Sequence, residues 1–171
     1  MPTLRTRQAT ADDLRTLAEL ETGPETACYL GLTGLGFHER ALADPDQEQI
    51  VAELEDPAAG GAIVGFVVLA GLREGGGRIE LRRIVLSHVH RGNGLGRALF
   101  RAGVARGYRE HGATGLWLDV KPDNARGRAL YESEGMVRTG TIPDPTDPDG
   151  VLLLMAYPGR PAFAAEPESI H

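Results

Sequence analysis

The chain has 171 residues, a mass of 18.3 kDa, 42% apolar and 25% charged residues, and a formal net charge of −6. These values describe one globular domain, residues 1–158, with a Pro/Ala/Glu-rich tail over 159–171 expected to be mobile, and they exclude a disordered chain. No apolar run reaches the ~20 residues of a membrane span, the start MPTLRTRQAT lacks the apolar stretch of a secretion signal, and the single Cys28 excludes an internal disulfide, so a cytoplasmic protein is expected.

Thr3–Gln8 alternates and suits a first strand. Thr10 then caps a helix over 11–22, where Asp12 and Asp13 suit the positive end of the helix dipole. Leu14, Leu17 and Ala18 share one face of it, on which Glu21 can also fall. Gly23 and Pro24 end it. Short helices over Glu25–Leu30 and Gly36–Ala43 follow, then a short strand, Gln49–Glu53. Ala62–Leu72 is nearly all apolar, as in a strand covered on both faces. Arg78–Ser87 is the next strand. A tight loop, His88–Asn93, leads into a helix from Gly94 to His111. Its predicted apolar stripe is Leu95, Ala98, Leu99, Ala102, Ala105 and Tyr108, with Gly103 and Gly107 weakening it by up to ~1 kcal/mol each. Leu116–Val120 is a strand. A helix over 125–134, capped by Asp123 or Asn124, ends at Gly135. Val137–Ile142 and Val151–Tyr157 flank the loop Pro143–Gly150 as two last strands. The order predicts an α/β fold with a mixed sheet.

Charge is unevenly spread. Arg78–Arg138 carries twelve Arg/Lys against six Asp/Glu; the rest carries six against eighteen. The middle of the chain therefore suits an anion, although a solvated basic helix face would read the same way. An acidic protein overall is a poor nucleic-acid binder. Only one of the eighteen basic residues, Lys121, is a lysine.

The sharpest feature is RGNGLG, Arg91–Gly92–Asn93–Gly94–Leu95–Gly96, set between a predicted strand and a predicted helix. Alternate glycines turn the backbone tightly and leave its N–H groups uncovered at a helix N-terminus, where an anion is favoured. Arg91 and Arg97 add bidentate phosphate grips. The loop is neither a Walker A sequence, which needs Gly-Lys-Ser/Thr, nor a dinucleotide G-x-G-x-x-G, since Arg97 and Leu99 stand at the last positions. A plain structural turn remains an alternative from the glycines alone.

About twenty residues on comes LWLDVKPDNARGRALYESEGM, Leu116–Met136. The two segments together resemble the GCN5-related N-acetyltransferase (GNAT) superfamily. Arg91, Gly94 and Gly96 fill a pattern like its motif A, and Asn124, Ala129, Leu130, Tyr131 and Gly135 one like its motif B. The resemblance covers Arg78–Met136, and the order of elements extends it from Thr3 to Tyr157.

The resemblance implies the acyl-CoA N-acyltransferase fold: a mixed, mostly antiparallel sheet of about six or seven strands with about four helices and splayed central parallel strands. It implies acetyl-CoA as cosubstrate, no metal, and direct attack of an amine on the thioester. Acetyl-CoA would lie between Arg78–Ser87 and Leu116–Val120. The backbone of Ile84, Val85 and Leu86 would pair with the pantetheine amides, the N–H groups of Arg91 through Arg97 (Gly92, Asn93, Gly94, Leu95 and Gly96 between them) would hold the pyrophosphate, and Asn124 would meet the cofactor near its thiol end. Tyr131 matches the tyrosine that protonates the leaving sulfur. Glu80 and Asp119 are the candidate bases, each also a candidate partner for Arg82, Arg83 or Arg128. Asp119 is shorter than the glutamate some members carry there, and His88 stands where a proline is frequent. A homodimer is common in the family.

Residues 24–46 and the last strand pair should face the acceptor. Glu25, Glu39, Asp44, Asp46 and the Asp144/Asp147/Asp149 loop suggest a cationic small-molecule or peptide amine; an acidic rim that only aids solubility is the alternative. His88 and His90 read as surface loop because zinc needs further ligands, and Cys28 as buried filler. Besides an active transferase, an inactive CoA-binding module and a nucleotide-binding enzyme stay open.

Overall fold

The computed structural model describes residues 2–30 and 33–165. In chain order it contains β1 (Leu4–Gln8), α1 (Leu14–Leu20), α2 (Pro24–Ala27), α3 (Leu35–Ala43), β2 (Gln47–Leu54), β3 (Ile63–Ala70), β4 (Arg78–Leu86), α4 (Leu95–Arg109), β5 (Gly115–Val120), α5 (Ala125–Ser133), β6 (Val137–Pro143) and β7 (Val151–Ala156). The strands form one sheet in the order β1-β2-β3-β4-β5-β7-β6. Every neighbouring pair is antiparallel except β4 with β5. This is the expected mixed sheet.

Two apolar cores lie on the two faces. One gathers Phe100, Val104 and Tyr108 of α4 and Tyr131 of α5 against Val67, Leu69, Ile79, Leu81, Leu116 and Leu118. The other gathers Leu14 and Leu17 of α1 against Val51, Phe66, Val68 and Val85. Strand β3, the apolar run of the sequence, is buried on both faces from Val64 to Ala70. Full burial of a side chain such as Leu99 or Phe100 is worth roughly 1.5–3 kcal/mol.

The stripe predicted for α4 is corrected by this packing. Ala98 is exposed and Ala102 and Ala105 are half-buried, while Gly103 and Gly107 face the sheet. A Cβ on Gly103 would lie 3.0 Å from Val67 Cγ1, and one on Gly107 3.1 Å from Leu116 Cδ1. These glycines let helix and sheet approach closely, which offsets their low helix propensity.

Strand β4 changes phase. Its register against β3 skips Arg82, a β-bulge. Before the bulge, Ile79 and Leu81 enter the α4 core. After it, Ile84 and Leu86 do, while Arg83 and Val85 turn to the α1 side.

Under that second face lies a buried polar cluster that the sequence did not disclose. Arg83 Nη1 donates to Glu21 Oε1 at 2.8 Å, and its guanidinium stacks 4.0 Å from the Phe37 ring centre. His38 Nε2 lies 3.0 Å from the same Glu21 oxygen. Gln49 Nε2 donates to the His38 carbonyl, which turns its Oε1 toward His38 Nδ1 at 2.5 Å. Burial alone would raise the Glu21 pKa, but His38 and Arg83 outweigh it and hold the carboxylate ionised. The cluster ties α1 and α3 to β2 and β4.

Past β7, Phe163 packs on Tyr157, with ring centres 6.5 Å apart. Arg109 donates to the carbonyls of Phe163 and Ala165 at 2.9 and 3.1 Å. The first part of the tail expected to be mobile is thus docked, because Phe163 and Ala164 carry apolar surface to the α4 core. Residues 166–171 lie outside the described residues.

Candidate active site

The two parallel strands part. β4 and β5 pair only at Arg78 with Gly115, Ile79 with Leu116 and Glu80 with Trp117. Beyond that point β4 runs on to Leu86, while β5 from Trp117 to Val120 holds to β7 instead. A V opens between them, and the stretch Ile84, Val85 and Leu86 borders it. Ile84 and Leu86 are half-buried, and Val85 is anchored in the α1 core.

At the mouth of the V the chain makes a single 3-10 turn, His88–His90, then the glycine loop, then α4. Gly92 and Gly94 have φ of 86° and 75°. A Cβ at either would touch nothing, so glycine is required there by backbone conformation and not by crowding. Among the described residues, none of the backbone N–H groups from Gly92 to Arg97 is hydrogen-bonded to the protein. Leu95, 2% exposed, pins the start of the helix in the core. Consecutive open N–H donors at the N-terminus of a 15-residue helix fit a pyrophosphate, and the unpaired β4 edge fits an extended amide chain.

The side chains around this loop are less open than expected. Arg91 Nη2 donates to Thr26 Oγ1 at 2.8 Å, tying the loop to α2. Arg97 is turned to the end of α5, where Nη1 meets Glu134 and donates to Ser133 Oγ at 3.0 Å. Arg101 joins it on Glu134 at 2.7 Å. Asn124 caps α5, with Oδ1 accepting from Gly127 N at 3.0 Å. Asn93 is exposed.

Tyr131, one turn before the end of α5, is 7% exposed and lies 5.4 Å, centre to centre, from Phe100. Burial, and then the charge of Asp119, push its phenol up to about 12. It is therefore a neutral O–H donor at any working pH. Asp119 stands on the opposite face of β5 from the core residues Leu118 and Val120. It forms no hydrogen bond or ion pair with the described residues. Its carboxyl reaches solvent, yet the protein mass around the cleft raises its pKa, as do Glu80 and Asp144, with Arg82 opposing. Glu80 faces the same side but is held by Arg82, whose Nη2 and Nε lie 2.8 and 3.2 Å from one carboxylate oxygen.

A cleft of about 340 Å³ on this face is lined by Asp46, Glu74, Arg78, Glu80, Arg82 and Trp117. Sequence reading missed Trp117 as a wall; its place opposite Glu80 follows from the strand register. The acidic rim differs from the expectation of open carboxylates. Asp46 accepts from the N–H groups of Gly71, Arg73 and Glu74. Asp44 holds Gln47 and Asp46 N, Asp144 holds Thr146, and Asp147 holds Asp149 N. These groups build turns while keeping their charge. The side chain of Glu25 lies outside the described residues. Cys28 is exposed, against expectation, because it caps the single-turn α2 at the surface. Among the described residues no group of three or more His, Cys, Asp or Glu is placed to hold a metal, and no helix is long and apolar enough to cross a membrane.

Comparison with known proteins bears on the fold and the family. A search of curated protein sequences returned no match. Among solved structures, spermidine N-acetyltransferase from Vibrio cholerae in complex with CoA and spermine superposes with a TM-score of 0.78 at 18% identity, covering 95% of this chain and 99% of that one. A chimera of the Vibrio cholerae enzyme SpeG and hSSAT gives 0.78 at 17%, covering 96% and 99%. At such identities the likeness shows the fold. The Acetyltransferase (GNAT) family matches residues 11–136. The chain belongs to the GNAT family and is an N-acetyltransferase that uses acetyl-CoA.

Proposed function

We propose that the chain acetylates a primary amine of a small molecule or peptide by direct attack, with Asp119 and Tyr131 handling the two protons. The observation that carries this reading is the pair itself: an unpartnered carboxylate and a buried phenol that feels its charge, on the strand and helix that border the V. Bound acetyl-CoA supplies the activated acetyl thioester. Gly92–Arg97 N–H groups would hold its pyrophosphate and the Ile84–Leu86 edge its pantetheine arm. Asp119 takes a proton from the acceptor ammonium, and the Tyr131 hydroxyl delivers one to the sulfur. Glu80, already neutralised by Arg82, acts less directly, by keeping Arg82 beside the cleft.

The acceptor we infer is cationic. Around Asp119 stand Glu80, Asp144 and, further out, Asp44, Asp46 and Glu74, against Arg78, Arg82 and Lys121. Turn-building does not cancel these charges, and the excess of carboxylates attracts an ammonium. The spermine-bound neighbour supports an amine of this kind. Thiol release measured with acetyl-CoA and a panel of amines tests the reading. Turnover should be best with cationic amines and should collapse in Asp119→Asn; undiminished turnover in that variant would remove Asp119 from the chemistry, and preference for a neutral or acidic amine would remove the cationic acceptor.

A further inference from the structure

We propose that Lys121 is an acetyl acceptor, so that the chain modifies its own sole lysine when acetyl-CoA is bound and no amine competes. The inference rests on the transferase reading above.

Eighteen side chains of this protein are Arg or Lys, and seventeen of them are arginines. A guanidinium stays protonated and does not attack a thioester, so of these eighteen Lys121 alone can carry the group as a stable amide. Its place is particular. β5 alternates between the α4 core (Leu116, Leu118, Val120) and the acceptor face (Trp117, Asp119), and Lys121, the first residue past the strand and two beyond Asp119, turns to Asp144, whose charge acts on Asp119. Two extended residues span at most roughly 6.5–7 Å, a distance comparable to the length of the lysine side chain. Nζ lies 3.8 Å from Asp144 Oδ2, beyond hydrogen-bond distance. Asp144 is itself engaged with Thr146 and is one of the charges that act on Asp119. The lysine is thus loosely held, with its ammonium among the carboxylates that would receive an external amine.

The step balances with groups already assigned. Asp119 takes one proton from the Lys121 ammonium. Nζ attacks the thioester carbonyl carbon, the N–C bond forms, the C–S bond breaks, and its electron pair leaves on sulfur. Tyr131 protonates the sulfur; the second proton lost by Nζ as the adduct collapses passes through solvent to the Tyr131 phenolate, and Asp119 releases the first to solvent. Acetyl-CoA and a lysine ammonium give acetyl-lysine, free CoA thiol and one proton. The product loses the positive charge that faces Asp144, which leaves the cleft more acidic.

The test uses the full chain with acetyl-CoA and no amine, followed by intact mass and peptide mapping. The expected result is a gain of about 42 Da, mapped to Lys121, whose rate per chain does not change on dilution. It should be absent in Lys121→Arg and slowed roughly tenfold or more in Asp119→Asn. Two results would overturn the proposal: an unmodified Lys121 in a preparation that acetylates added amines, or labelling of Lys121 as fast in heat-unfolded chain as in the folded one. If neither the lysine nor any amine is acetylated, the transferase reading itself falls.

Discussion

The two sides of the V are built from different materials. The proposed cofactor side is backbone: open N–H groups from Gly92 to Arg97 and an unpaired strand edge, with the nearby arginines turned to Thr26 and Glu134. The proposed acceptor side is side chains, nearly all of them already paired or holding turns, with Asp119 left over. A ligand shared by many proteins can be held by main chain, whereas the amine must be met by chemistry particular to this one. Substitutions should therefore divide cleanly: changes of side chain on the acceptor face alter turnover, and changes of backbone freedom in the loop alter cofactor affinity.

The largest effect is expected from Asp119→Asn, a fall in kcat of roughly 10²- to 10⁴-fold with acetyl-CoA binding kept, followed by Tyr131→Phe, roughly 10²-fold, both read by thiol release and calorimetric titration. Glu80→Gln should lose far less; a loss as large as that of Asp119→Asn would exchange their roles. Activity should rise with pH along a limb set above the ordinary aspartate pKa, because the base must be ionised and its pKa is raised. That limb should vanish in Asp119→Asn.

Next comes Gly94→Ala. A left-handed φ of 75° costs a non-glycine residue about 1–2 kcal/mol, and relief of that strain would re-aim the N–H groups. Weaker acetyl-CoA binding with little change in kcat is expected. Arg97→Gln should weaken binding less than Gly94→Ala does, because its side chain is spent on α5. If the arginine matters more than the glycine, the division into backbone and side-chain halves breaks.

The smallest effect concerns stability alone. Burial would raise the pKa of Glu48, but hydrogen bonds from Arg106, His111 and Gln8 outweigh it and hold the group at about 2, against 4.5 when unfolded. A depressed folded pKa means this stabilisation is complete above pH 4.5 and disappears as the pH falls toward 2. Glu48→Gln should flatten the dependence of Tm on pH in that window. Asp13, held at about 2 by Arg7, leaves a residual slope in the same range.

The same division explains what could be read from the sequence. Glycine spacing announces open backbone, so RGNGLG and the strand–loop–helix around it were legible, as was the element order, carried by apolar periods and caps. Side-chain partners far apart in sequence were not. Nothing local marks Arg97 for Glu134 thirty-seven residues on, or Arg83 for Glu21 sixty-two residues back. The Asp-rich turns looked like an open acidic rim because composition cannot distinguish a carboxylate facing solvent from one closing its own turn. In α4, alanines and glycines of similar size swapped places, since only the approach of Val67 and Leu116 decides which must lack a Cβ.

The skipped residue in β4 has a consequence for how this strand can change. Residues 78–81 and 83–86 are two half-strands in opposite phase, joined at Arg82. Flatten the bulge with that residue kept and one alternation must serve both halves: either Leu81 and Ile79 swing out of the α4 core, or Ile84 and Leu86 leave it while Val85 and Arg83 leave the α1 side. Delete the residue, and plain alternation leaves every one of these side chains on its present face. The joint beside the candidate base is therefore a counting device. The bulge lets the strand carry one extra residue, and with it an arginine beside the cleft, without moving either core.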